Sequence, residues 1–456
     1  MSAVGTSVTE SRNVALDVLG DVRKGRFAEH ALWDRLEARS SLLPEDRSLA
    51  TELVYGVLRW RDRLDAIIAR CVERRSVRIG PRIRDILRIA LYQTFLLDRV
   101  PDHAAVNQAV SQAAARAGKK PSGFVNAILR RALRERESVD VEPSEDPASL
   151  AEYYSHPPWL VRRWLADQGL ETTLRVLRSN NSRPPVVVRV NSLRTSARDL
   201  LDLWRRAGIR AHTVSCLPEA LALISAGGPV PSLPGFREGL FVMQDPAAQM
   251  IAPLLEVRPK ERVLDACAAP GGKTSHLAAL AGDDAEIIGV DADTNRLADT
   301  RQNLRRLGVR CVRLVHGDAT DRSFMRSLGS FDRVLLDPPC SNLGVLSRSP
   351  EVRYRTNSGD LKTFARRQRQ MINAAAEVVK PGGTLVYSVC TVTAEETSEL
   401  IGHFLAGRPD FTPRPITPDE LAIPGLIDKQ GYFRSFPPPE DIHLDGFFAA
   451  RLHRTG

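Results

Sequence analysis

The chain has 456 residues, 43% hydrophobic and 26% charged, with a formal net charge of +9. That composition belongs to a folded chain with cores to bury, and it excludes disordered or collagen-like polymers. No apolar run reaches the roughly 18 residues a membrane span needs, and Met1 to Arg12 has no signal-peptide core, so a cytoplasmic address without a membrane partner is expected.

Six cysteines (Cys71, Cys216, Cys267, Cys311, Cys340, Cys390) are scattered with no Cys-x-x-Cys or Cys/His cluster. Reduced thiols are expected, with no disulfide framework and no metal. The charge is uneven. Residues 1–137 hold 25 basic and 17 acidic side chains, against 39 and 38 in the remainder. A basic half suits a polyanion such as nucleic acid, although arginine-rich composition alone also accounts for it.

In chain order, residues 8–137 predict an all-helical block. Leu53, Val54, Val57, Leu58, Leu64, Ile67, Ile68 and Cys71 follow a helical stripe; Ile83, Ile86, Leu87, Ala90, Leu91 and Phe95 form a second. Asp102 and Ser122 are expected as N-caps of two further helices. Residues 138–150, acidic and Pro-bearing, read as a linker. Residues 151–240 predict a small α+β unit, with helices over 159–168 and 172–179 and a strand over 185–191.

From residue 241 onward the pattern alternates strand and helix. Strands are expected over 262–267, 286–291, 312–316, 332–337, 384–390 and 446–452, with helices such as 293–307 and 361–379 between them. This predicts a mostly parallel, doubly wound α/β sheet, whose ligands sit at the carboxyl ends of its strands.

Two kinds of chemistry collect at that edge. The run Cys267, Ala268, Ala269, Pro270, Gly271, Gly272, Lys273 turns a strand into a helix through glycines, which let a ligand approach the backbone. It lacks the first glycine of a phosphate loop and the spacing of a dinucleotide fingerprint. Asp291 and Asp318 follow the next two strands, placed for ribose hydroxyls and an adenine. Without a phosphate cradle, the pocket favours S-adenosylmethionine over a nucleotide. The reacting edge is Asp337-Pro338-Pro339-Cys340 and, 50 residues on, Cys390. A pyrimidine ring carbon has no lone pair to attack a methyl donor, so it needs a nucleophile added at its neighbour. A thiolate suits that step.

These stretches, with Val290–Asp293, Tyr387–Glu396 and Asp445–Leu452, resemble the NOL1/NOP2/Sun RNA cytosine carbon-5 methyltransferases, in their bacterial 16S ribosomal RNA branch with an N-terminal NusB-like domain. Glu52–Trp60 and Pro101–Ala105 carry the NusB-like resemblance. The resemblance implies a Rossmann-like class I methyltransferase domain (241–456) behind a small α+β RNA-binding subdomain (151–240) and an all-α NusB-like domain (1–137). It implies that Cys390 adds to cytosine carbon 6, that Cys340 assists product release, and that Asp337 hydrogen-bonds the base. Lys273 would add positive charge nearby. Cys267 through Lys273, Asp291, Asp318 and Asp337 match its S-adenosylmethionine-binding positions. The implied partner is 16S ribosomal RNA rather than DNA, for a monomeric enzyme. Thr391, Thr397 and Asn342-Leu343 depart from the family pattern. A tRNA substrate, or a non-catalytic RNA-binding assembly factor, stays open as an alternative.

Overall fold

The computed structural model describes all residues except 1, 2, 73–77, 99, 216, 226–228, 422, 424, 440 and 441, so Cys216 lies outside the described residues. By internal contacts the chain forms two units, Met1–Arg183 with Leu346–Arg355, and Pro184–Val345 with Thr356–Gly456.

The first unit is helical: α1 (Ala3–Arg23), α2 (Ala28–Glu37), α3 (Pro44–Arg59), α4 (Arg61–Cys71), α5 (Pro81–Phe95), α6 (Asp102–Ala117), α7 (Lys119–Arg134), α8 (Arg136–Val139), α9 (Pro147–Tyr153) and α10 (Pro158–Asn181). The stripe from Leu53 to Cys71 is carried by α3 and α4, and it joins Ile86, Leu87, Ala90 and Leu91 of α5 in one core. Two expected caps are corrected. Asp102 is the first residue of α6, whose N-cap is Pro101. Ser122 lies inside α7, because Gly118 (φ +94°) ends α6 and the chain re-enters helix at once. Its hydroxyl donates to the Lys119 carbonyl, 2.7 Å away. The segment 138–150 is also more ordered than a linker. Asp146 caps α9 by accepting from Ala148 and Ser149 N–H, and Leu150 is buried. Gly169 (φ +75°) breaks α10 into the two predicted stretches.

Leu346–Arg355 reaches this unit from the far end of the sequence. Arg353, 1% exposed, donates to the carbonyls of Arg59 (2.9 Å), Ser155 (3.0 Å) and Asn180 (2.8 Å) and to Asn181 Oδ1 (2.8 Å). Glu351 accepts from the Ala28 N–H at 2.9 Å. Desolvating a guanidinium is costly unless its N–H groups find acceptors, and here four are supplied.

The second unit begins with β1 (Val186–Val190), α11 (Ala197–Arg206), β2 (Arg210–Val214), β3 (Leu217–Ser225) and β4 (Phe241–Met243). The strands form an antiparallel sheet, order β2-β3-β1-β4, with Trp204 of α11 packed in its core. After the short α12 (Pro246–Gln249) come β5 (Arg262–Asp265), α13 (Gly272–Leu280), β6 (Glu286–Asp291), α14 (Thr294–Leu307), β7 (Val312–His316), α15 (Arg322–Ser327), β8 (Phe331–Leu336), α16 (Asp360–Glu377), β9 (Val379–Val389), α17 (Ser398–Gly407), β10 (Phe411–Pro413), β11 (Phe433–Arg434) and β12 (Phe448–Arg454).

The large sheet runs β10-β12-β9-β8-β5-β6-β7, with β11 paired to β12. Strands β5 to β9 are mutually parallel, and β12 and β10 are antiparallel additions at one edge. Alternation along the strands separates its two buried faces. Val263, Ile287, Leu335 and Val386 lie in one core; Leu264, Ile288, Val334 and Leu385 lie in the other. Strand order reverses beside β5, between β6 and β8, and a ligand crevice opens at the carboxyl ends there.

Candidate active site

β5 breaks at Asp265 into the turn that begins α13. Gly271 has φ +95°, and a Cβ there would stand 3.0 Å from Thr300 Cγ2. Gly289 in β6 leaves room for the turn as well, since a Cβ would meet Ala268 Cβ at 3.0 Å and Leu314 Cδ2 at 2.9 Å. Arg189 of β1, 1% exposed, braces the helix start through Ser275 Oγ (2.9 Å). Asp265 is sealed beneath the turn. Burial pushes its carboxyl up to about 6, against a 2.7 Å hydrogen bond from Thr274 that favours the ionised form.

Asp291 ends β6 with both oxygens engaged. Oδ2 accepts from Ala269 N–H (3.2 Å) and Oδ1 from Asp293 N–H (3.0 Å). Each oxygen keeps a second lone pair for a ligand hydroxyl. Arg296 donates to the Ala269 carbonyl at 2.7 Å, so turn and strand end form one frame. Asp318 is different. It is exposed past β7 and caps its own turn by accepting from Thr320 N–H at 2.9 Å. The donor set fits an adenosyl group: the first backbone N–H groups of α13 and a strand-end acid with lone pairs to spare.

On the neighbouring tips the two thiols meet. Cys340, four residues past the end of β8, and Cys390, directly after β9, have sulfurs 3.4 Å apart. Asn342, with φ +57°, turns its Oδ1 toward both, 2.9 Å from Cys390 Sγ and 3.6 Å from Cys340 Sγ. The hydrogen bond with Cys390, then burial, push the Cys340 thiol well up from its ordinary value. Two facing glycines bring the loops together. Gly344 N–H donates to the Cys390 carbonyl (3.0 Å), and Gly446 N–H donates to the Gly344 carbonyl (2.7 Å).

Asp337 joins the two halves. Its Oδ2 lies 2.5 Å from Lys273 Nζ, and its Oδ1 accepts from Ser388 Oγ at 3.2 Å. Burial works to lower the Lys273 ammonium, but Asp337 outweighs it and the group is held above its ordinary value. The ammonium also lies 5.1 Å from the centroid of Phe447. Cys267 borders the same space. Burial, then the charges of Asp337, Asp265 and Asp291, push its thiol well up, as an inert thiol.

Of the residues expected from sequence, Cys267 to Lys273, Asp291, Asp337, Cys340 and Cys390 line one edge of the sheet. Asp318 lies just past the tip of β7 on that same edge, where the preceding Gly317 N–H donates to the Asp291 carbonyl at 3.1 Å. Ser388, Asn342, Gln368 and Glu396 have no role assigned from sequence; Ser388 and Glu396 fall within the Tyr387–Glu396 stretch, Asn342 is marked as a departure from the family pattern, and Gln368 carries no signal. Among the described residues no group of three His, Cys, Asp or Glu side chains is placed to hold a metal, and no helix is long and apolar enough to cross a membrane.

Comparison with known proteins agrees in all parts of the chain. Residues 252–453 match the family model described as 16S rRNA methyltransferase RsmB/F, residues 9–134 the NusB family, and residues 156–230 the ferredoxin-like domain of RsmF/B-like methyltransferases. A probable ribosomal RNA small subunit methyltransferase B from Synechocystis is 35% identical over 98% of this chain and 99% of its own. The ribosomal RNA small subunit methyltransferase B of Klebsiella pneumoniae is 36% identical over 85% of this chain and 89% of its own. A solved methyltransferase homologue from Pyrococcus horikoshii, 30% identical, covers 69% of this chain and all of its own with a TM-score of 0.57. The α/β fold with its helical NusB domain is that of a Rossmann-like class I methyltransferase. The chain belongs to the RsmB/F family of 16S rRNA methyltransferases.

Proposed function

We propose that the protein forms 5-methylcytosine in 16S ribosomal RNA from S-adenosylmethionine, using Cys390 as nucleophile and Cys340 as the group that assists product release. The observation that carries this reading is the 3.4 Å approach of two sulfurs from adjacent strand tips, beside an Asp337–Lys273 pair.

The turn Cys267 to Lys273, with the Asp291, Asp318 and Asp337 carboxylates, would hold S-adenosylmethionine, which supplies an electrophilic methyl group when bound. Asp337 offers its carboxylate to the exocyclic amino group of cytosine, and to N3 once that nitrogen gains a proton as the adduct forms, with Lys273 paired to it and Ser388 orienting it. Cys390, as thiolate, adds to carbon 6, and the electrons of the 5,6 double bond pass to carbon 5. After carbon 5 is methylated, its proton must leave. Cys340 lies next to the Cys390 sulfur and is placed to assist its removal. The carbon–hydrogen electrons then re-form the double bond, expelling the Cys390 thiolate. A base paired in a duplex presents neither ring face, so the target must be unstacked. The basic residues of 1–137 suit the phosphate backbone of such an RNA.

The test is transfer of tritiated methyl groups to unmodified small-subunit rRNA. Cys390→Ala abolishes transfer, and Cys340→Ala accumulates a covalent protein–RNA species visible on a denaturing gel. Normal turnover by both variants refutes the two-thiol scheme.

A further inference from the structure

Behind the two thiols lies a buried carboxylate that the reaction above does not use. Glu396 is fully buried. Its Oε1 accepts from Ser341 N–H (3.0 Å) and from Gln368 Nε2 (2.9 Å). Its Oε2 accepts from the hydroxyls of Ser341, Thr393 (2.9 Å) and Thr391 (3.2 Å). The donors come from three places: the residue after Cys340, the residues after Cys390, and α16. Gln368 also donates to the Pro339 carbonyl at 3.0 Å, one residue before Cys340. Tyr387 in β9 donates its hydroxyl to the Glu396 backbone carbonyl at 2.8 Å.

We propose that Glu396 is a positioning residue that clamps the loops bearing Cys340 and Cys390 into one rigid body and so sets the distance between the two sulfurs. This rests on the two-thiol reading above and adds what keeps the thiols in register. The physical case is one of capacity. A carboxylate offers about four acceptor sites on two oxygens, enough for five neutral donors when some are shared. No neutral side chain of this size matches it. Gln in its place keeps an acceptor for the two N–H donors but turns an NH2 group toward the three hydroxyls, which must reverse from donating to accepting. The loops also meet in front, through Gly344 N–H on the Cys390 carbonyl and through Asn342; behind the sulfurs the Ser341 and Thr391 hydroxyls lie 2.6 Å apart and both reach the same Glu396 oxygen. Losing the carboxylate removes the bridge behind the two sulfurs and lets the loops shift against each other about the contacts in front. Misplacing reacting groups by about 1 Å costs about a hundredfold in rate.

The test uses the full-length protein and Glu396→Gln, with Ser341→Ala as the milder variant should the first not fold. Ser341→Ala deletes one of the bridging hydroxyls and leaves the remaining donors in place. Both variants are expected to bind S-adenosylhomocysteine as the wild type does, by titration calorimetry. Both are expected to lower kcat for methyl transfer, Glu396→Gln by about a hundredfold and Ser341→Ala by about tenfold. KM for RNA should stay the same. In a Cys340→Ala background, either change should also slow the appearance of the covalent protein–RNA species, which a purely stabilising role leaves unchanged in folded protein. A folded Glu396→Gln with wild-type kcat overturns the clamp, and so does wild-type kcat in Ser341→Ala where Glu396→Gln does not fold. If Cys390→Ala is inactive in the same assay, that failure belongs to the clamp alone. If Cys390→Ala turns over normally, the two-thiol reading has failed instead.

Discussion

Replacing Asp265 by Asn isolates the electrostatic strain beneath the cofactor turn. The carboxyl titrates at about 6 in the folded protein, against an ordinary 3.8. Below about pH 3 the group is protonated in both folded and unfolded chains and contributes nothing to the difference. Between those values the unfolded chain releases its proton while the folded chain retains it, so stability falls as pH rises. Above about pH 6 both are ionised and the full penalty stands. A rise from 3.8 to about 6 corresponds to about 3 kcal/mol, at roughly 1.4 kcal/mol per pH unit. Asn keeps the shape and one acceptor for the Thr274 hydroxyl, and it cannot ionise. Its NH2 group replaces an Oδ1 that already lacks a partner, which adds a cost independent of pH. The measurement is therefore a difference: urea unfolding of wild type and Asp265→Asn from pH 4 to pH 7.5, one subtracted from the other. Every other titrating group cancels to first order. The variant should gain about 2.4 kcal/mol on the wild type across that range, most of it between pH 4 and pH 6. A difference that stays flat with pH refutes the claim that Asp265 is ionised against its burial.

The other predictions concern separate parts of the chain. Arg353→Met leaves four buried acceptors without their guanidinium and should destabilise the protein by about 3–5 kcal/mol in urea unfolding; Arg353→Lys should recover little, since one ammonium does not span four acceptors. Gly344→Ala places a Cβ 1.8 Å from the Gly446 carbonyl and 2.9 Å from that of Cys390, so its thermal midpoint should fall clearly and its methyl transfer with it. Gly446→Ala meets Val392 Cγ1 at 2.8 Å, a side chain that can turn, and should be the milder of the two. Asp291→Ala should weaken S-adenosylhomocysteine binding about tenfold or more by calorimetry, and Asp318→Ala, at the more exposed neighbouring tip, should weaken it by less.

The contrast between Asp291 and Asp318 marks how far sequence could reach. Both follow apolar runs, and both have the residue type that binds ribose or caps a turn. What differs is burial and partnering: Asp291 is buried against Ala269 N–H of the facing turn, a long-range contact, whereas Asp318 is exposed and bonded within its own turn. The strands themselves were legible because burial on both faces imposes continuous apolar, β-branched runs on them. Caps were less so. Ser122 has the right chemistry to start a helix, but Gly118 alone resets the chain there, and α7 begins three residues earlier. Residues 138–150 lacked periodicity because α9 is only seven residues long, too short for a stripe to repeat.

The thiol pair shows the same limit at finer scale. Fifty residues between Cys340 and Cys390 fit one crossover from β8 through α16 to β9, and a parallel crossover of that kind lands on a neighbouring strand. Adjacency of the tips therefore follows from spacing. Contact between the sulfurs does not, because adjacent strands lie nearly 5 Å apart and their loops are free to diverge. What closes the remaining distance is a glycine facing a glycine across residues 344 and 446, an asparagine in the left-handed region, and a glutamate that gathers hydroxyls from both loops. None of these has a period or a motif of its own. Each is intelligible only once the partner loop is in place, so the chemistry could be read from two cysteines while its precision is written in residues with no reactive group.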